Sequence, residues 1–219
     1  FLCLDKNIKI DPKHADGEKV KNRSTLLTFS GSARSLLAGE RVALNILQRL
    51  SGIATLTMKF VEKVPSTVSV LDTRKTTPGM RALEKYAVRC GGGTNHRFGL
   101  YDAVLIKDNH IKAAGSISKA VEKARKNIPP LQKIEVEVKN AEEVKEALRM
   151  ECDIIMLDNM SPEQVKEAVK IINKRSRIEI SGNIGLSNIQ KIASEGIDYI
   201  SVGALTHSTP TVDISMVFD

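Results

Sequence analysis

A dense group of charged side chains follows the first strongly apolar β-type run of the sequence. The run VSVLD, residues 68–72, leads directly into Thr73, Arg74 and Lys75 and then into turn-forming residues at 76–79. A guanidinium beside an ammonium suits a carboxylate or a phosphate, and a rigid turn would hold both groups in place. The pattern favours an anion-binding site, and a solvated loop is the alternative.

A second polar segment, residues 89–110, combines glycine with cationic side chains. Three glycines at 91–93 permit close approach of the backbone and precede His96 and Arg97, and Lys107 follows inside an apolar run. An ammonium in an apolar strand is costly unless an anion or a carboxylate accompanies it. We interpret all three as candidates for binding an anionic group. A structural histidine and a lysine that simply reaches solvent are the alternatives.

Two carboxylates lie at the ends of neighbouring predicted strands. Glu137 is near the end of the run 134–138, and Asp158 ends the run 153–158, one β–α unit further along. Carboxylate oxygens suit Mg²⁺, which commonly binds one or two of them together with substrate phosphates. We therefore predict that Glu137 and Asp158 share a magnesium ion or bind ribose hydroxyls. Glu135 has the same side-chain parity as Glu137 and stays an open alternative.

Small residues end the last two predicted strands. They are Ser181, Gly182 and Asn183 at the end of the run 177–181, and Val202, Gly203 and Ala204 at the end of the run 199–203. Small side chains expose backbone N–H groups, and a helix N-terminus near them adds a favourable dipole for an anion. The sequence therefore predicts a phosphate-binding pocket formed by these two loops.

The elements that must position these residues repeat from about residue 66. Six β-branched runs end near residues 72, 107, 137, 158, 181 and 203, and amphipathic stretches alternate with them. The last four ends are roughly 22 residues apart, which suits one strand and one crossover helix in a parallel sheet. Helices are predicted over 141–150, over 161–174 with Ser161 as N-cap and Pro162 in the first turn, and over 186–196 with Gly196 as C-cap. Polar residues at many strand ends favour a barrel over an open doubly wound sheet.

The chain is predicted to divide into two parts. Residues 1–40 have the pattern of a partial N-terminal α/β sandwich domain, and residues 41–219 that of an α/β barrel catalytic domain. A long helical pattern over 39–64, interrupted at Gly52, is predicted to link them. The start at Phe1, in mid-pattern, suggests that part of the N-terminal unit is absent.

Bulk composition excludes several classes. The net charge of +7 suits either a nucleic-acid binder or an enzyme with polyanionic substrates, but 4% aromatic residues, no Trp and no long basic run argue against nucleic acid. No apolar stretch is long enough for a membrane span, no secretory leader is visible, and the three cysteines suggest neither a disulfide framework nor a zinc site. We expect a soluble cytoplasmic protein. A non-enzymatic basic scaffold would leave the strand-end charges unexplained.

Taken together, these motifs resemble the quinolinate phosphoribosyltransferase family over nearly the whole chain. The segments are ERVALNILQRLSGIAT, DTRKTTPGMR, GGGTNHRFGLYD, IKDNH, EVEV, MLDN, SGNI and ISVGALTHS, in the family's order. The resemblance implies an open α/β barrel of about seven strands with an N-terminal α/β sandwich domain. It also implies that, with Mg²⁺, quinolinate and phosphoribosyl pyrophosphate give nicotinate mononucleotide, carbon dioxide and pyrophosphate in NAD biosynthesis.

The resemblance also assigns roles to residues. The substrate-binding residues it implies are Arg41, Thr73, Arg74, Lys75, His96, Arg97, Lys107, Glu137, Asp158 and the two phosphate loops. Lys75, Lys107, Glu137 and Asp158 are the expected catalytic residues, with Glu137 and Asp158 near Mg²⁺. Arg41 is expected to reach the neighbouring subunit's site, which implies a homodimer. The alternatives are a related phosphoribosyltransferase of the molybdenum-transport type, acting on another base, and an aldolase-type barrel with Lys107 as a Schiff-base amine.

Overall fold

The structure, a computed structural model, describes residues 1–193 and 196–218. Its strands are β1 (Lys9–Pro12), β2 (Leu27–Ser30), β3 (Ser69–Leu71), β4 (Val104–Ile106), β5 (Ile134–Val138), β6 (Ile154–Asp158), β7 (Arg177–Ser181) and β8 (Tyr199–Ser201). Its helices are α1 (Ala33–Val61), α2 (Arg81–Cys90), α3 (Asp108–Ala114), α4 (Ile117–Arg125), α5 (Ala141–Arg149), α6 (Pro162–Ile172), α7 (Ile189–Ile192) and α8 (Ala204–His207). From β3 onward strands alternate with helices, as the sequence spacing predicts.

The strands from β3 to β8 form one parallel sheet in the order β3-β8-β7-β6-β5-β4. One face of this sheet, represented by Val136, Leu157, Ile180 and Ile200, packs in the hydrophobic core that the helices cover. Each predicted β-type run from residue 68 onward contains one of these strands, so the predicted α/β fold with a parallel sheet is confirmed. We expected about seven strands, and six are hydrogen-bonded into this sheet within residues 1–193 and 196–218.

The opposite face of the sheet curves around a polar interior. Glu135 on β5 and Glu179 on β7 alternate with core residues and project from this inner face, and both carboxylates lie within 3.5 Å of the His96 ring. His96 belongs to the segment between β3 and β4, the two edge strands, and Thr94 in the same segment forms a parallel bridge with Leu71. A flat sheet could not bring β5, β7 and this segment together. The sheet therefore curls as an open barrel does, with residues 94–97 in its gap.

The helix α1 is continuous, so the interruption predicted at Gly52 is wrong. It runs for 29 residues from Ala33 to Val61, and Gly52 is buried in its middle. A Cβ atom built at Gly52 would lie 2.1 Å from the carbonyl oxygen of Pro210. Gly52 therefore allows the C-terminal segment to cross the helix at close range, which is a packing role.

Substitution Gly52→Ala is expected to destabilise the protein strongly. The added methyl group would meet the backbone oxygen of Pro210, which has no side-chain freedom with which to move away, so we expect a loss of about 2 kcal/mol or more. Urea unfolding would measure this loss. Gly185→Ala is the matched control, because its Cβ would meet only Ser187 Oγ at 3.9 Å. Equal stability of the two variants would contradict the crowding at Gly52.

The remaining helices follow the predictions in part. Helices α5 and α6 are confirmed, and the Ser161 hydroxyl accepts from Gln164 N–H at the start of α6 as an N-cap, with Pro162 in its first turn. The helix predicted over 186–196 is wrong in its extent, since α7 ends at Ile192 with Ala193 as C-cap, and Gly196 therefore does not cap it. Residues 194 and 195 of that prediction lie outside the described residues.

The N-terminal residues form the antiparallel pair β1–β2, followed by α1. The domain boundary predicted between residues 40 and 41 falls within α1, whose first turn is already at residue 33, and the division stays a prediction. Over the part of the chain that the structure describes, no helix is both long enough and apolar enough to cross a membrane.

Candidate active site

Cationic side chains line a cavity that lies along β4. Arg74, Arg97 and Lys107 line this cavity, whose volume is about 540 Å³, together with apolar residues of β4 and alanines of α3 and α4. Burial and the nearby positive charge of Arg74 lower the pKa of Arg97. Like charges held this close are unfavourable unless an anion neutralises them. The structure thus brings together three of the side chains that the sequence proposed for anion binding.

A carboxylate centre lies beside Lys107. Its Nζ is 3.5 Å from Oε2 of Glu137, whose side chain is mostly buried. Burial raises the pKa of Glu137, the ammonium of Lys107 lowers it, and the negative charge of Asp158 raises it again. Glu137 and Asp158 are therefore close enough to interact, as expected from the ends of the paired strands β5 and β6.

The loop after β7, residues 181–183, contacts the end of β6. The side-chain amide of Asn159 donates to Asp158 Oδ2 at 3.1 Å, and that of Asn183 donates to Asn159 Oδ1 at 3.1 Å. Gly182 has φ +100°, and a Cβ there would lie 2.2 Å from Asn159 Oδ1. Only glycine fits this position. Ser181 ends β7 beside Asp158, so the loop and the carboxylate centre are adjacent.

The loop after β8, residues 202–204, lies beside Lys75. A Cβ built at Gly203 would be 3.5 Å from Cδ of Lys75, and the hydroxyl of Thr206 in α8 donates to the Lys75 carbonyl oxygen at 2.8 Å. Val202 is buried, while Gly203 and Ala204 are partly exposed at the start of α8. The cationic segment after β3 and the loop after β8 thus form one surface. Thr73 contributes a turn in this segment, because its Oγ1 accepts from the Lys75 N–H at 3.1 Å.

His96 lies next to Arg97, but both of its ring nitrogens contact protein groups. Nδ1 accepts from the Arg97 N–H at 2.7 Å, and Nε2 is 3.1 Å from Glu135 Oε2 and 3.5 Å from Glu179 Oε2. Burial disfavours the charged ring, yet the two glutamates raise the pKa of His96 overall. Glu135, left open by the sequence, therefore contacts His96 inside the barrel, and Glu137 is the glutamate of β5 that contacts Lys107.

A buried ion pair that the sequence did not reveal supports this loop. Asp72 and Lys85 are both buried and paired through Oδ1 and Nζ. Asp72 also accepts from the Asn95 amide at 2.6 Å and from the His96 N–H at 2.9 Å, and Lys85 donates to the His96 carbonyl at 2.9 Å. Burial raises the pKa of Asp72 and lowers that of Lys85, while their mutual attraction opposes both shifts. The pair fixes the backbone that presents Arg97.

A second buried carboxylate holds the segment after β3. Glu84 accepts from Arg49 Nε at 2.8 Å and from the Thr77 N–H at 3.2 Å, and Arg49 also donates to the Thr206 carbonyl at 2.7 Å. A signal for Glu84 was present in the sequence, since it lies three and four residues before the buried Ala87 and Val88 of α2. A charge at that helical spacing faces the core and needs a partner.

Arg41 lies apart from this group of residues. It is exposed on α1, and the exposed hydrophobic side chains Leu37, Val42 and Ile46 flank it on the same helix. Nothing that the structure describes places its guanidinium at the cavity between Arg74 and Lys107 of its own chain. The other side chains proposed from sequence gather at the strand ends.

Glu179 gives a pH-dependent stability prediction. Burial, followed by the charge of Glu135, raises its pKa to about 8. A carboxyl whose folded-state pKa exceeds its unfolded value stabilises the fold below the unfolded pKa, and this contribution is lost as pH rises through the folded pKa. Glu179→Gln should therefore gain stability relative to the native chain between about pH 4.5 and 8, by a few kcal/mol. Denaturant unfolding across this range would test it, and a constant difference would contradict it.

The fold and the site define an α/β protein of the barrel type, with a group of cationic side chains next to the carboxylates Glu137 and Asp158. Residues 53–217 match the family model of the quinolinate phosphoribosyl transferase C-terminal domain, and residues 1–51 match that of its N-terminal domain. The chain belongs to the quinolinate phosphoribosyltransferase family.

Relatives and solved structures agree with this assignment. The chain is 49% identical to a probable nicotinate-nucleotide pyrophosphorylase [carboxylating] of Synechocystis, with 99% of the chain and 75% of the relative covered. The corresponding protein of Bacillus subtilis is 46% identical over 99% of the chain and 75% of the relative. The crystal structure of NadC from Streptococcus pyogenes superposes with a TM-score of 0.95 at 48% identity, covering 99% of this chain and 77% of that one.

Proposed function

We propose that this protein transfers the phosphoribosyl group of phosphoribosyl pyrophosphate to quinolinate, with loss of carbon dioxide, to give nicotinate mononucleotide for NAD biosynthesis. The relatives named as carboxylating nicotinate-nucleotide pyrophosphorylases support this reaction. The single observation that carries it is the arrangement of Arg74, Arg97 and Lys107 around one cavity, directly beside the carboxylate centre of Glu137.

The cationic residues account for binding of a pyridine dicarboxylate. Two guanidinium groups can each bind one carboxylate through paired N–H donors, and their mutual repulsion falls when the dianion enters. The alanines of α3 and α4 and the apolar side chains of β4 supply the apolar part of the cavity. Lys107 then lies between the substrate and Glu137, and Lys75 lies at the glycine loop after β8. The ribose phosphate would bind at the two loops, through backbone N–H groups.

The chemistry needs no side chain to activate the nucleophile. The ring nitrogen of quinolinate carries a lone pair, which forms the bond to C1′ of ribose as the bond from C1′ to the pyrophosphate oxygen breaks. Glu137 and Asp158 stabilise the positive charge that develops on the ribose, and Lys75 and Lys107 stabilise the negative charge on the leaving group. The binding residues orient both reactants for this displacement.

Decarboxylation follows from the product of that step. Once the ring nitrogen is cationic, the bond from C2 to its carboxylate carbon breaks, carbon dioxide leaves, and the electron pair remains on C2 beside the positive nitrogen. A proton then adds to C2. Arg74 and Arg97 hold the ring through this step, in the cavity that they line.

Mg²⁺ is the cofactor that we propose for this site. Glu137 and Asp158 provide hard oxygen donors at adjacent strand ends. Burial, and to a lesser degree the negative charge of Asp158, raise the pKa of Glu137, and a bound cation would offset both effects. When bound, Mg²⁺ would neutralise phosphate charge on the pyrophosphate donor.

A homodimer with shared sites is the assembly that we propose. Arg41 is exposed among Leu37, Val42 and Ile46, whose exposed fractions of 58%, 64% and 36% suit an interface with another protein surface. Leu100, exposed by 68%, gives the cavity an apolar rim. We infer that α1 of one protomer packs beside the barrel mouth of its partner and brings Arg41 to the partner's cavity.

Product analysis tests the proposed function. The protein is incubated with phosphoribosyl pyrophosphate, Mg²⁺ and either quinolinate, nicotinate or no base. We expect nicotinate mononucleotide and one equivalent of carbon dioxide only with quinolinate. A nucleotide product formed from nicotinate alone would instead indicate a related transferase for another base, and borohydride trapping of Lys107 would indicate a Schiff-base enzyme.

A further inference from the structure

Helix α2 carries two adjacent buried side chains of opposite charge, and neither takes part in the proposed reaction. Glu84 is 0% exposed and Lys85 is 2% exposed. Consecutive residues on a helix do not face each other, so the two side chains reach different neighbours. Charged side chains are rarely buried this completely unless each has a partner. Here each partner belongs to a different segment that presents site residues.

Lys85 is bound to the segment that precedes Arg97. Its Nζ pairs with Asp72 and donates to the His96 carbonyl oxygen at 2.9 Å. Asp72 accepts from the His96 N–H at 2.9 Å, so the ion pair binds both polar backbone groups of this residue. The Asn95 amide donates to Asp72 Oδ2 at 2.6 Å and to the Lys85 carbonyl oxygen at 2.8 Å. The backbone directly before Arg97 is therefore fixed to α2 and to the end of β3.

Glu84 is bound to two other segments through Arg49. Arg49 donates from Nε to Glu84 Oε1 at 2.8 Å, and from Nη2 to Thr77 Oγ1 at 2.8 Å and to the Thr206 carbonyl oxygen at 2.7 Å. Glu84 Oε2 accepts from the Thr77 N–H at 3.2 Å, and the Thr206 hydroxyl donates to the Lys75 carbonyl oxygen at 2.8 Å. These bonds tie the segment that carries Lys75 to α8, the helix that begins at the loop after β8.

We propose that these two buried ion pairs consist of positioning residues for different substrates. Asp72 and Lys85 hold Arg97 in place for quinolinate. Arg49 and Glu84 hold the segment after β3 and the loop after β8 in place for phosphoribosyl pyrophosphate. This inference rests on the proposed function, because the two substrate positions are taken from it. Adjacent residues of one helix would then govern the binding of two different ligands.

Net stability is a weak explanation for either ion pair. Apolar side chains of similar size in place of a buried ion pair are often neutral or stabilising, because the charged groups lose their hydration on folding. Each of the four side chains also forms a hydrogen bond with a backbone N–H or carbonyl group in the segments beside the site. Mutual neutralisation of the charges does not require these bonds, whereas positioning of the backbone does.

Two double variants, each of which removes one ion pair as a unit, test this division. Asp72→Asn/Lys85→Met and Arg49→Met/Glu84→Gln leave no unpaired buried charge in either pair, which is the main cost of single substitutions. The first variant should weaken quinolinate binding about tenfold and keep KM for phosphoribosyl pyrophosphate within about twofold of the native value. The second should raise that KM about tenfold and keep quinolinate binding within about twofold.

The two substrates are measured separately. Calorimetry gives the Kd of quinolinate for the protein alone, and steady-state rates at saturating quinolinate with Mg²⁺ give KM for phosphoribosyl pyrophosphate. Each double variant is the matched control of the other, because both lose a buried ion pair anchored on α2. Circular dichroism and the unfolding temperature establish that both are folded. A folded variant that affects both substrates equally, or neither, would overturn the inference.

Two milder variants give the answer where a double variant does not fold. Arg49→Lys keeps a positive charge beside Glu84, but one ammonium cannot reproduce the fork with which the guanidinium reaches Thr77 and Thr206. Asn95→Ala leaves both ion pairs intact and removes the amide that braces the segment before Arg97. We expect a change of about threefold, for phosphoribosyl pyrophosphate in the first variant and for quinolinate in the second. The reverse pattern, or equal changes, would overturn the inference.

Failure of the proposed function would appear separately, in the native protein. Native protein that forms no product from quinolinate would refute the proposed function, whatever the variants do. Native protein that converts quinolinate, with folded variants that lack the substrate-specific pattern, would refute only the positioning roles.

Discussion

Substitution Lys107→Ala is expected to lower turnover by about a thousandfold while leaving the fold intact, since loss of one preorganised cation at a reacting centre costs on this order. The Lys107 side chain is half exposed, and its ion-pair partner in the described chain is Glu137 at 3.5 Å. The loss should appear mainly in kcat, because the developing charge on pyrophosphate exists only in the transition state.

The control for Lys107→Ala is Lys112→Ala on α3, the helix that directly follows Lys107. Lys112 is exposed and pairs only loosely, at 3.7 Å, with Asp108 on the surface. Surface pairs of this kind contribute little, so its turnover should match that of the native chain. Circular dichroism and the unfolding temperature would establish that both variants are folded. A folded Lys107→Ala protein with near-native turnover would remove Lys107 from the mechanism.

Mixing two inactive variants is expected to restore activity if the sites are shared between protomers. Arg41→Ala and Lys107→Ala should each be nearly inactive alone. In a mixed dimer, one site would combine an intact Arg41 from one protomer with an intact Lys107 from the other. Random exchange of protomers makes half of the dimers mixed, each with one complete site, so about a quarter of native activity should return.

The matched control for this experiment is a mixture of Arg74→Ala with Lys107→Ala. Arg74 and Lys107 line the same cavity of one chain, so in every mixed dimer one cavity lacks Arg74 and the other lacks Lys107, and no activity should return. The decisive comparison is therefore recovery in the Arg41→Ala and Lys107→Ala mixture against its absence in the Arg74→Ala and Lys107→Ala mixture. Absence of recovery in dimers shown by mass to be mixed would argue against sharing by Arg41.

The sequence predicted the strands of the parallel sheet and the position of most candidate site residues at their ends, because both depend on local pattern. Each run of alternating or β-branched residues from 68 onward contains a strand, and a polar residue at the end of such a run must emerge at the same edge of a parallel sheet. Lys107, Glu137 and Asp158 were proposed as site residues in this way. Their proximity follows from strand order, which the regular spacing also indicates.

Features that depend on distant contacts were not predictable in the same way. Gly52 gave the pattern of an interrupted helix, but its role is set by Pro210, which lies 158 residues later and touches it only in the folded chain. The partners of Glu84 and Lys85 are likewise on other elements. Glu179 had a usable signal, since a charge between Ile178 and Ile180 in a buried strand must face the interior of a barrel.

The segment 94–97 lies where the parallel sheet opens between β3 and β4, so the proposed substrate would bind across a seam of the barrel. A ligand held by Arg97 on this segment and by Lys107 at the end of β4 would tie the two edges together. Because it binds only the folded state, saturating quinolinate should raise the unfolding temperature, and the amides of β4 should exchange more slowly with solvent. Opening of the sheet between β3 and β4 should therefore be most frequent between turnovers, when product has left and no ligand connects the two edges.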